Sequence, residues 1–435
     1  MKKYKDILTI GFALFAMFFG AGNLLLPPFI GLQIGSHIAI TILAFGLTGI
    51  ILPFFGILSI VQSGNSFHDL GNRIHPKLAP ILGSIIMLCI GPLIAIPRTA
   101  ATTHEIAILP SFPDFNPAWS SILFFVATWA LTIVPSKVVD IIGNFFTPLL
   151  LLLLLALIIL GIVHPQADYS ISSLNSLESF SLGFTEGYQT LDVFASVIFA
   201  GIIINAAKSK GYTTIKEKNK VVITSGIVSA SCLFLIYGGL VYLGATSGVT
   251  NMEIPRSSLL IQIAQQILGK YGMLGIALSI GLACLTTAIA VTSAVGTFFS
   301  ELSGDRLSYK LIVTVCCILS AAFAVKGVDS IIQFAYPPLA FAYPIVITLV
   351  LYIVLFGRFI KVKAPYIGAL LASTAIATLS LGKVLGLWST EFLDIWNKIP
   401  LFDIDLGWVI PSIIGFLVGY IISLTTSKQN TPSKS

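Results

Sequence analysis

Long apolar stretches, separated by short polar segments, run along almost the whole chain of 435 residues. An α-helix rises 1.5 Å per residue, so about 20 apolar residues cross a bilayer core of about 30 Å. The pattern therefore predicts an all-α integral membrane protein with about twelve transmembrane segments. Numbered in chain order, segments one to twelve are expected at residues 6–34, 37–61, 77–107, 117–135, 138–163, 185–207, 220–246, 271–300, 308–326, 328–357, 364–387 and 407–426.

The composition agrees with a membrane protein and excludes an ordinary soluble one. Hydrophobic residues make up 56% of the chain and charged residues 10%, against about 25% charged residues in soluble domains. No soluble domain fits between the apolar segments. The five cysteines lie within apolar runs, without a CxxC pair or neighbouring histidines, so we expect core residues rather than disulfides or metal ligands.

Basic residues predict the orientation in the membrane. Lysine and arginine concentrate in alternate polar segments, such as "KSKGYTTIKEKNK" at 208–220, while the acids collect in the others. Because basic loops stay in the cytoplasm, both termini are predicted to be cytoplasmic. The net charge of +6 then needs no nucleic-acid partner.

The stretch "FFGAGNLLLPP" at 18–28 interrupts the first apolar segment. Glycine costs about 1 kcal/mol and proline about 3 kcal/mol in a helix relative to alanine, and a freed backbone group in lipid needs another partner. A break here would offer carbonyl oxygens to a cation and half-helix amides to an anion. The alternative is a packing kink at which Gly20 and Gly22 let a neighbouring helix approach.

Segment six contains a second candidate, Asp192, within "GYQTLDVFASVIFAGIIINAA" at 187–207. A carboxylate within a membrane is costly unless it is paired or hydrated, so we expect a functional role; the alternative is an interfacial acid near the outer helix end. Segments one and six also begin two halves of five segments each. An odd number of spans gives opposite orientations, so we predict an inverted repeat with broken segments one and six. The predicted divisions are 1–163, 185–357, two further helices in 364–426, and a disordered cytoplasmic tail at 427–435.

Segment eight contains "ACLTT", in which Ala283, Thr286 and Thr287 stand at i, i+3 and i+4. This spacing puts one carbonyl and two hydroxyls on one helix face. Such oxygens suit a hard cation such as sodium. The alternative is that each threonine bonds only its own helix backbone.

Three motifs together resemble one known family. The stretches "GFALFAMFFGAGNLLLPP", "GPLIAIPRTA" and "GYQTLDVFAS" resemble the branched-chain amino acid:cation symporters, the BrnQ-like bacterial permeases. "GAGNLLLPP" and "ACLTT" also resemble the broken first helix and the eighth helix of the leucine transporter fold. The resemblance implies that the protein is not an enzyme but a secondary transporter, which imports leucine, isoleucine and valine with sodium as the coupling ion, needs no cofactor, and works by alternating access.

The same resemblance implies an ion site between segments one and eight. Its sodium ligands would be the main-chain carbonyls of Ala16, Phe19 and Ala283, with the hydroxyls of Thr286 and Thr287.

It also implies a substrate site. The amides of Gly20, Ala21 and Gly22 would bind the substrate carboxylate, and the ammonium would meet carbonyls of the broken segment six. Asn23 stands where the fold has a side-chain amide that binds a second sodium beside the carboxylate. Asp192 departs from the fold's pattern, which has a hydroxyl residue that binds this second ion. The aspartate would either add a charged ligand to the ion or replace the ion by direct contact with the ammonium. Apolar walls are expected from Leu191, Phe194, Val197 and Ile94.

Arg98 is a second departure, because the fold has a carboxylate-binding tyrosine near that place and an outer-gate arginine where this chain has Leu26. An arginine matches a carboxylate with two hydrogen bonds. Arg98 is therefore expected to bind the substrate carboxylate or to serve as a gate. The alternative is a side chain that extends along apolar surface to the outer interface.

Other function classes fit less well. A channel needs a polar lining along the pore, and no segment repeats polar positions on one face. The five histidines lie near predicted helix ends or loops, without HExxH, so a membrane-embedded enzyme has no catalytic cluster. The remaining alternative is a proton-coupled permease for another small apolar amino acid, with Asp192 as the proton carrier.

Overall fold

The computed structural model describes residues 2–64, 66–133, 137–169 and 174–429, and these fold as helices joined by short turns. Of the predicted disordered tail, 430–435 lies outside the described residues. The α-helices are α1 (Lys2–Phe18), α2 (Ala21–Ile34), α3 (Ile38–Gly46), α4 (Leu52–Ser63), α5 (Phe67–Asn72), α6 (Leu78–Leu88), α7 (Ala95–Thr102), α8 (Pro117–Ile133), α9 (Lys137–Val163), α10 (Ser176–Glu186), α11 (Asp192–Ser209), α12 (Ile215–Ala245), α13 (Arg256–Leu302), α14 (Tyr309–Ala324), α15 (Val328–Phe356), α16 (Ala364–Val384), α17 (Thr390–Trp396) and α18 (Val409–Gln429). Wider π-helical turns form Leu47–Ile51, Cys89–Leu93 and Thr103–Ile108, and a 3-10 turn forms Gly187–Thr190.

Many of these helices are long and apolar enough to cross a bilayer. Within the described residues seven helices or continuous helical runs meet that test, and the bent pair α1 and α2 would be an eighth span. Shorter apolar helices occur at Pro117–Ile133, Leu149–Val163, Tyr309–Ala324 and Val409–Thr425. The all-α membrane class is confirmed, while the count of twelve and the inverted repeat stay predictions.

The predicted break in segment one is confirmed. Gly20 has extended backbone angles between α1 and α2 (φ −108°, ψ −174°), and the two helices bend by 69°. The second half-helix then packs very closely on α12, because a side chain on Gly31 would overlap the carbonyl of Val241 and one on Gly244 would overlap the carbonyl of Pro28. Small residues that let helix backbones meet are typical of membrane interfaces.

One predicted boundary is wrong. Segment six was expected from residue 185, but its first half, α10, begins at Ser176, where Asn175 and Glu178 form a capping box. This added piece is more polar than a spanning segment, so a search for apolar stretches leaves it out. Segment eight was expected from 271, and α13 has non-helical angles at Gly269, whose φ is +69°, so the helix after this kink begins close to the predicted residue. A further helical piece from Arg256 precedes the kink.

The chain forms two compact units. The first contains Met1–Ile50, Ser84–Leu191 and Thr224–Ala335. At its centre lies α13, which packs against α2, α7, α8, α9 and α14.

The second unit contains Ile51–Gly83, Asp192–Ile223 and Tyr336–Ser435. In it α4 packs on α11 and α16 packs on α18. Glycines allow both approaches, since Gly56 lies directly on Ser196 and Gly368 directly on the backbone of Gly415.

Candidate functional site

The first helix break presents the N-terminal end of α2. The first amides of an α-helix have no partner within the helix, and the helix dipole adds partial positive charge there. Gly22 and Asn23, in this first turn, are buried. The backbone of Ala21 is helical, while its side chain lies outside the described residues. This end of α2 can therefore bind an anion such as a carboxylate.

The second helix break separates α10 from α11. A 3-10 turn, Gly187–Thr190, leads into Leu191, which is buried and has left-handed backbone angles (φ 64°, ψ 10°). A left-handed residue other than glycine costs roughly 1–2 kcal/mol and is held in place by its surroundings. The turn packs against the π-helical stretch Leu47–Ile51, because Gly187 has no room for a side chain beside Thr48. The broken segment six is thus confirmed.

Arg98 connects the two breaks. Its Nη1 donates a hydrogen bond to the main-chain carbonyl of Gln189 at 2.6 Å. A methyl group built on Gly22 would lie 2.5 Å from Nη2 and 2.7 Å from Cζ, so the guanidinium lies directly on the first break. Arg98 is 3% exposed. This burial does not fit the alternative of a side chain that extends to the membrane interface.

The backbone around Arg98 is unusual in a way that the sequence explains. Arg98 lies in the short helix α7, between two π-helical stretches. Gly91 has non-helical angles (φ −90°, ψ −124°), and Pro92 and Pro97 supply no amide hydrogen. Irregular π turns of this kind are common at functional sites. Here Cys89–Leu93 interrupts the regular helix before Arg98, and Thr103–Ile108 interrupts it after Arg98.

Asn23 has a partner that the sequence did not reveal. Its side-chain amide donates a buried hydrogen bond to the hydroxyl of Tyr237 on α12. The Tyr237 ring packs edge-on against Phe45, with 5.4 Å between ring centroids, and lies 6.5 Å from the ring of Phe19. The sequence feature that could have pointed to this partner is a tyrosine within an otherwise apolar run. Asn23 Oδ1 faces the first break, 4.0 Å from a methyl group built on Gly20.

The threonine pair lies beside the same break. A methyl group on Gly20 would lie 4.0 Å from Cγ2 of Thr287. The hydroxyls of Thr286 and Thr287 each donate to the carbonyl of Ala283 at 2.9 Å, which is the backbone bonding of the alternative interpretation. A hydroxyl that donates keeps its oxygen lone pairs for a cation. Ala16 lies in the last turn of α1 and Phe19 directly follows that helix. The sodium site formed by these two residues with Ala283 and the threonine pair stays a prediction.

Asp192 and Phe194 belong to the second compact unit. Asp192 is the first residue of α11 and is 2% exposed. It therefore begins a half-helix directly after a break, rather than lying at the end of a continuous helix. The Phe194 ring packs on Tyr343, with centroids 4.4 Å apart. Among the other expected wall residues, Val197 and Ile94 are fully buried.

A charged cluster in the first unit was missed by the sequence analysis. Arg256 pairs with Asp329 (Nη1 to Oδ1, 2.7 Å) and with Glu186 (Nη2 to Oε1, 3.5 Å), and its guanidinium lies 4.1 Å from the ring centre of Phe29. The three charged residues stand in polar segments that the sequence marked only as outside loops. A cavity of about 950 Å³, lined among others by Asp329 and Glu105, adjoins this cluster.

Comparisons with known proteins show which family the chain is similar to. Residues 3–426 match the family model described as branched-chain amino acid transport protein. The chain is 35% identical over 430 residues to the branched-chain amino acid permease BraB of Bacillus subtilis, covering 97% of this chain and 96% of that one. It is 34% identical over 433 residues to the permease BrnQ of the same organism, covering 98% of each chain.

Solved structures show the fold. The inward-facing conformation of Mhp1 matches with a TM-score of 0.64 and 11% identity, over 97% of this chain and 91% of that one. MhsT in complex with L-phenylalanine matches with a TM-score of 0.52 and 16% identity, over 95% and 98%. Both have the leucine transporter fold, which is therefore confirmed for this chain. Since the family model and the permeases match over nearly its whole length, the chain belongs to the branched-chain amino acid transport protein family.

Proposed function

We propose that this protein imports leucine, isoleucine and valine across the bacterial cytoplasmic membrane by sodium symport. The named relatives are branched-chain amino acid permeases, which supports the substrate class. The observation that carries the site is Arg98, a buried cation in contact with both helix breaks. A guanidinium matches a carboxylate with two hydrogen bonds, and an amino acid supplies a carboxylate.

Substrate recognition follows from this arrangement. The carboxylate binds to Arg98 and to the amides at the start of α2, and charge-assisted hydrogen bonds of this kind are short and strong. The ammonium binds to carbonyls of the second break and to Asp192. Buried apolar residues such as Leu191 and Phe194 surround the aliphatic side chain.

Sodium is the coupling ion in this proposal. It binds to the carbonyls of Ala16, Phe19 and Ala283 and to the hydroxyls of Thr286 and Thr287, and so organises the first break in an outward-open state. After the amino acid binds, the outer side closes and the inner side opens. Because binding linkage is reciprocal, ion and substrate each raise the affinity for the other. Both termini lie in the cytoplasm.

Asp192 supports a second candidate, a proton-coupled permease. This carboxyl group is buried at the start of a half-helix, and buried acids mark proton pathways in transporters. In that case the threonine hydroxyls bond only the helix backbone.

Uptake of radiolabelled leucine into proteoliposomes tests the proposal. Liposomes receive an inward sodium gradient, a potassium gradient or a proton gradient, with valine, isoleucine, alanine or lysine as competitors. Sodium-dependent uptake that valine and isoleucine block, and lysine does not, is expected. Uptake that follows the proton gradient and does not depend on sodium would favour the second candidate, and absence of leucine uptake under every gradient would contradict the proposed function.

A further inference from the structure

Gln189 lies in the second helix break and makes two different contacts. Its main-chain carbonyl accepts the hydrogen bond from Arg98 at 2.6 Å. Its side-chain Nε2 donates to the main-chain carbonyl of Ile332 on α15 at 3.4 Å. The donor contact with a carbonyl identifies the nitrogen end of the amide, so the other end is the acceptor oxygen, Oε1.

The side-chain oxygen of Gln189 needs a donor. Gln189 is 2% exposed, and within the part of the chain that the structure describes Oε1 has no hydrogen-bond partner. A buried acceptor left without a donor is costly, and buried polar groups in folded proteins are rarely left so. The strained Leu191 follows two residues later, so the surrounding structure holds this turn in place.

The chemistry of an α-amino acid supplies the missing donor. Its carboxylate and its ammonium are bonded to the same carbon atom, so a group that receives the ammonium must adjoin the group that binds the carboxylate. The proposed function assigns Arg98 to the carboxylate, and Gln189 is hydrogen-bonded to Arg98 directly. An ammonium carries three donors and no acceptor, which matches an amide oxygen.

We infer that Gln189 binds the substrate: its side-chain oxygen accepts a hydrogen bond from the α-ammonium, while its main-chain oxygen holds Arg98 against the carboxylate. The inference rests on the proposed function and adds to it, because it makes the intact zwitterion the recognised unit. A carboxylate without an amino group satisfies Arg98 and leaves Gln189 unsatisfied. The site therefore rejects branched-chain carboxylic acids.

Two substitutions distinguish the role of the side-chain oxygen of Gln189 from the role of its side-chain nitrogen. Gln189→Met removes both polar atoms at nearly the same length, whereas Gln189→Glu keeps an acceptor oxygen and removes the amide donor to Ile332. Binding of tritiated leucine to the purified full-length protein is measured by scintillation proximity, in sodium and in potassium. Leucine affinity should fall about ten- to hundredfold in Gln189→Met, the range for a hydrogen bond to a charged group, and stay within about tenfold of the native value in Gln189→Glu. Gln265→Met, at an exposed glutamine of α13, is the control and should bind as the native protein does.

Competition with 4-methylpentanoate, which is leucine without its amino group, gives a second readout. The native protein should prefer leucine strongly, and Gln189→Met should lose most of that preference, because of the two charged groups of leucine only the ammonium loses a contact. Equal losses in the Met and Glu variants would overturn the inference and assign the effect to the Ile332 contact. A changed sodium affinity with an unchanged preference for leucine would also overturn it, since Oε1 would then serve the ion.

The two proposals fail in different ways. If leucine binds equally in sodium and potassium, sodium coupling fails and the Gln189 comparison still runs in either salt. If native leucine binding needs sodium and Gln189→Met binds normally, only the inference about Gln189 fails.

Discussion

The guanidinium of Arg98 donates to the main-chain carbonyl of Gln189 and at the same time lies directly on Gly22. Gln189 belongs to one helix break and Gly22 to the other, so a single side chain contacts both interruptions of the helical backbone. Any movement of one break relative to the other must stretch this contact or carry Arg98 with it.

Arg98→Lys should weaken leucine binding. Lysine keeps the charge, but its ammonium is a compact point charge, and it lacks the planar fork that can contact Gln189 and a carboxylate together. We expect at least about a tenfold weaker affinity, as for the loss of one charge-assisted hydrogen bond. Radioligand binding measures this. The control is Arg358→Lys, at an exposed arginine, and equal affinities in the two variants would contradict the role of Arg98.

Gly22→Ala should impair binding and uptake because of its position against Arg98. The new methyl group would meet the guanidinium at 2.5 Å, which forces Arg98 away from its present place. Gly238→Ala on α12 is a matched control, since its nearest neighbour lies at 3.7 Å, an ordinary contact distance. Leucine affinity and uptake rate are compared for the two variants. Normal uptake by Gly22→Ala would show that Arg98 can move without loss.

Thr287→Ala should weaken sodium and leucine binding together. If the hydroxyl is an ion ligand, linkage transmits its loss to the substrate, and we expect changes of about tenfold, within the usual range of coupling between sites. Thr297→Ala on the same helix also removes a hydroxyl bonded to the backbone, at 3.0 Å from the Ser293 carbonyl, and should change neither affinity. Sodium titrations of leucine uptake give both values. If Thr287→Ala matches Thr297→Ala, backbone bonding is the whole role of Thr287.

Arg256→Gln should destabilise the protein more than Asp329→Asn does. The side chain of Glu186 is 18% exposed, so removal of Arg256 leaves a mostly buried carboxylate without this cation, whereas Asp329 is 34% exposed and better solvated. Removing one partner of a buried pair costs up to about 3–5 kcal/mol, and solvent screening reduces this to about 1–3 kcal/mol here. Thermal unfolding in detergent measures the difference. The double variant Arg256→Gln with Glu186→Gln should recover part of the loss; if it recovers none, the pairing is unimportant for stability.

Asp192→Asn should weaken leucine binding and leave the dependence on sodium unchanged. The substitution removes a negative charge proposed to face the ammonium, but it does not touch the proposed sodium ligands. Uptake is measured under sodium and proton gradients, with Asp168→Asn, at an exposed aspartate, as the control. Loss of uptake driven by a proton gradient, with sodium making no difference, would move the coupling to Asp192.

The sequence by itself predicted the membrane class, the broken first and sixth segments and the family. These properties are local, because hydrophobic length decides whether a segment suits a bilayer, and glycine and proline decide where a helix is interrupted. The same locality explains the wrong start of segment six. The first turns of α10 begin at a cap in polar sequence, where hydrophobicity carries no signal.

Only the tertiary structure decided which side chains meet at the breaks. Arg98 and Gln189 are 91 positions apart, and Asn23 and Tyr237 are 214 positions apart. The sequence identified Arg98 and Asn23 as candidates but named neither partner, and it did not single out Arg256 at all. Contacts over such separations depend on how whole helices pack, through close approaches such as Gly31 on Val241. Periodicity along one helix cannot specify them, because it fixes which face is apolar and not which helix will cover it.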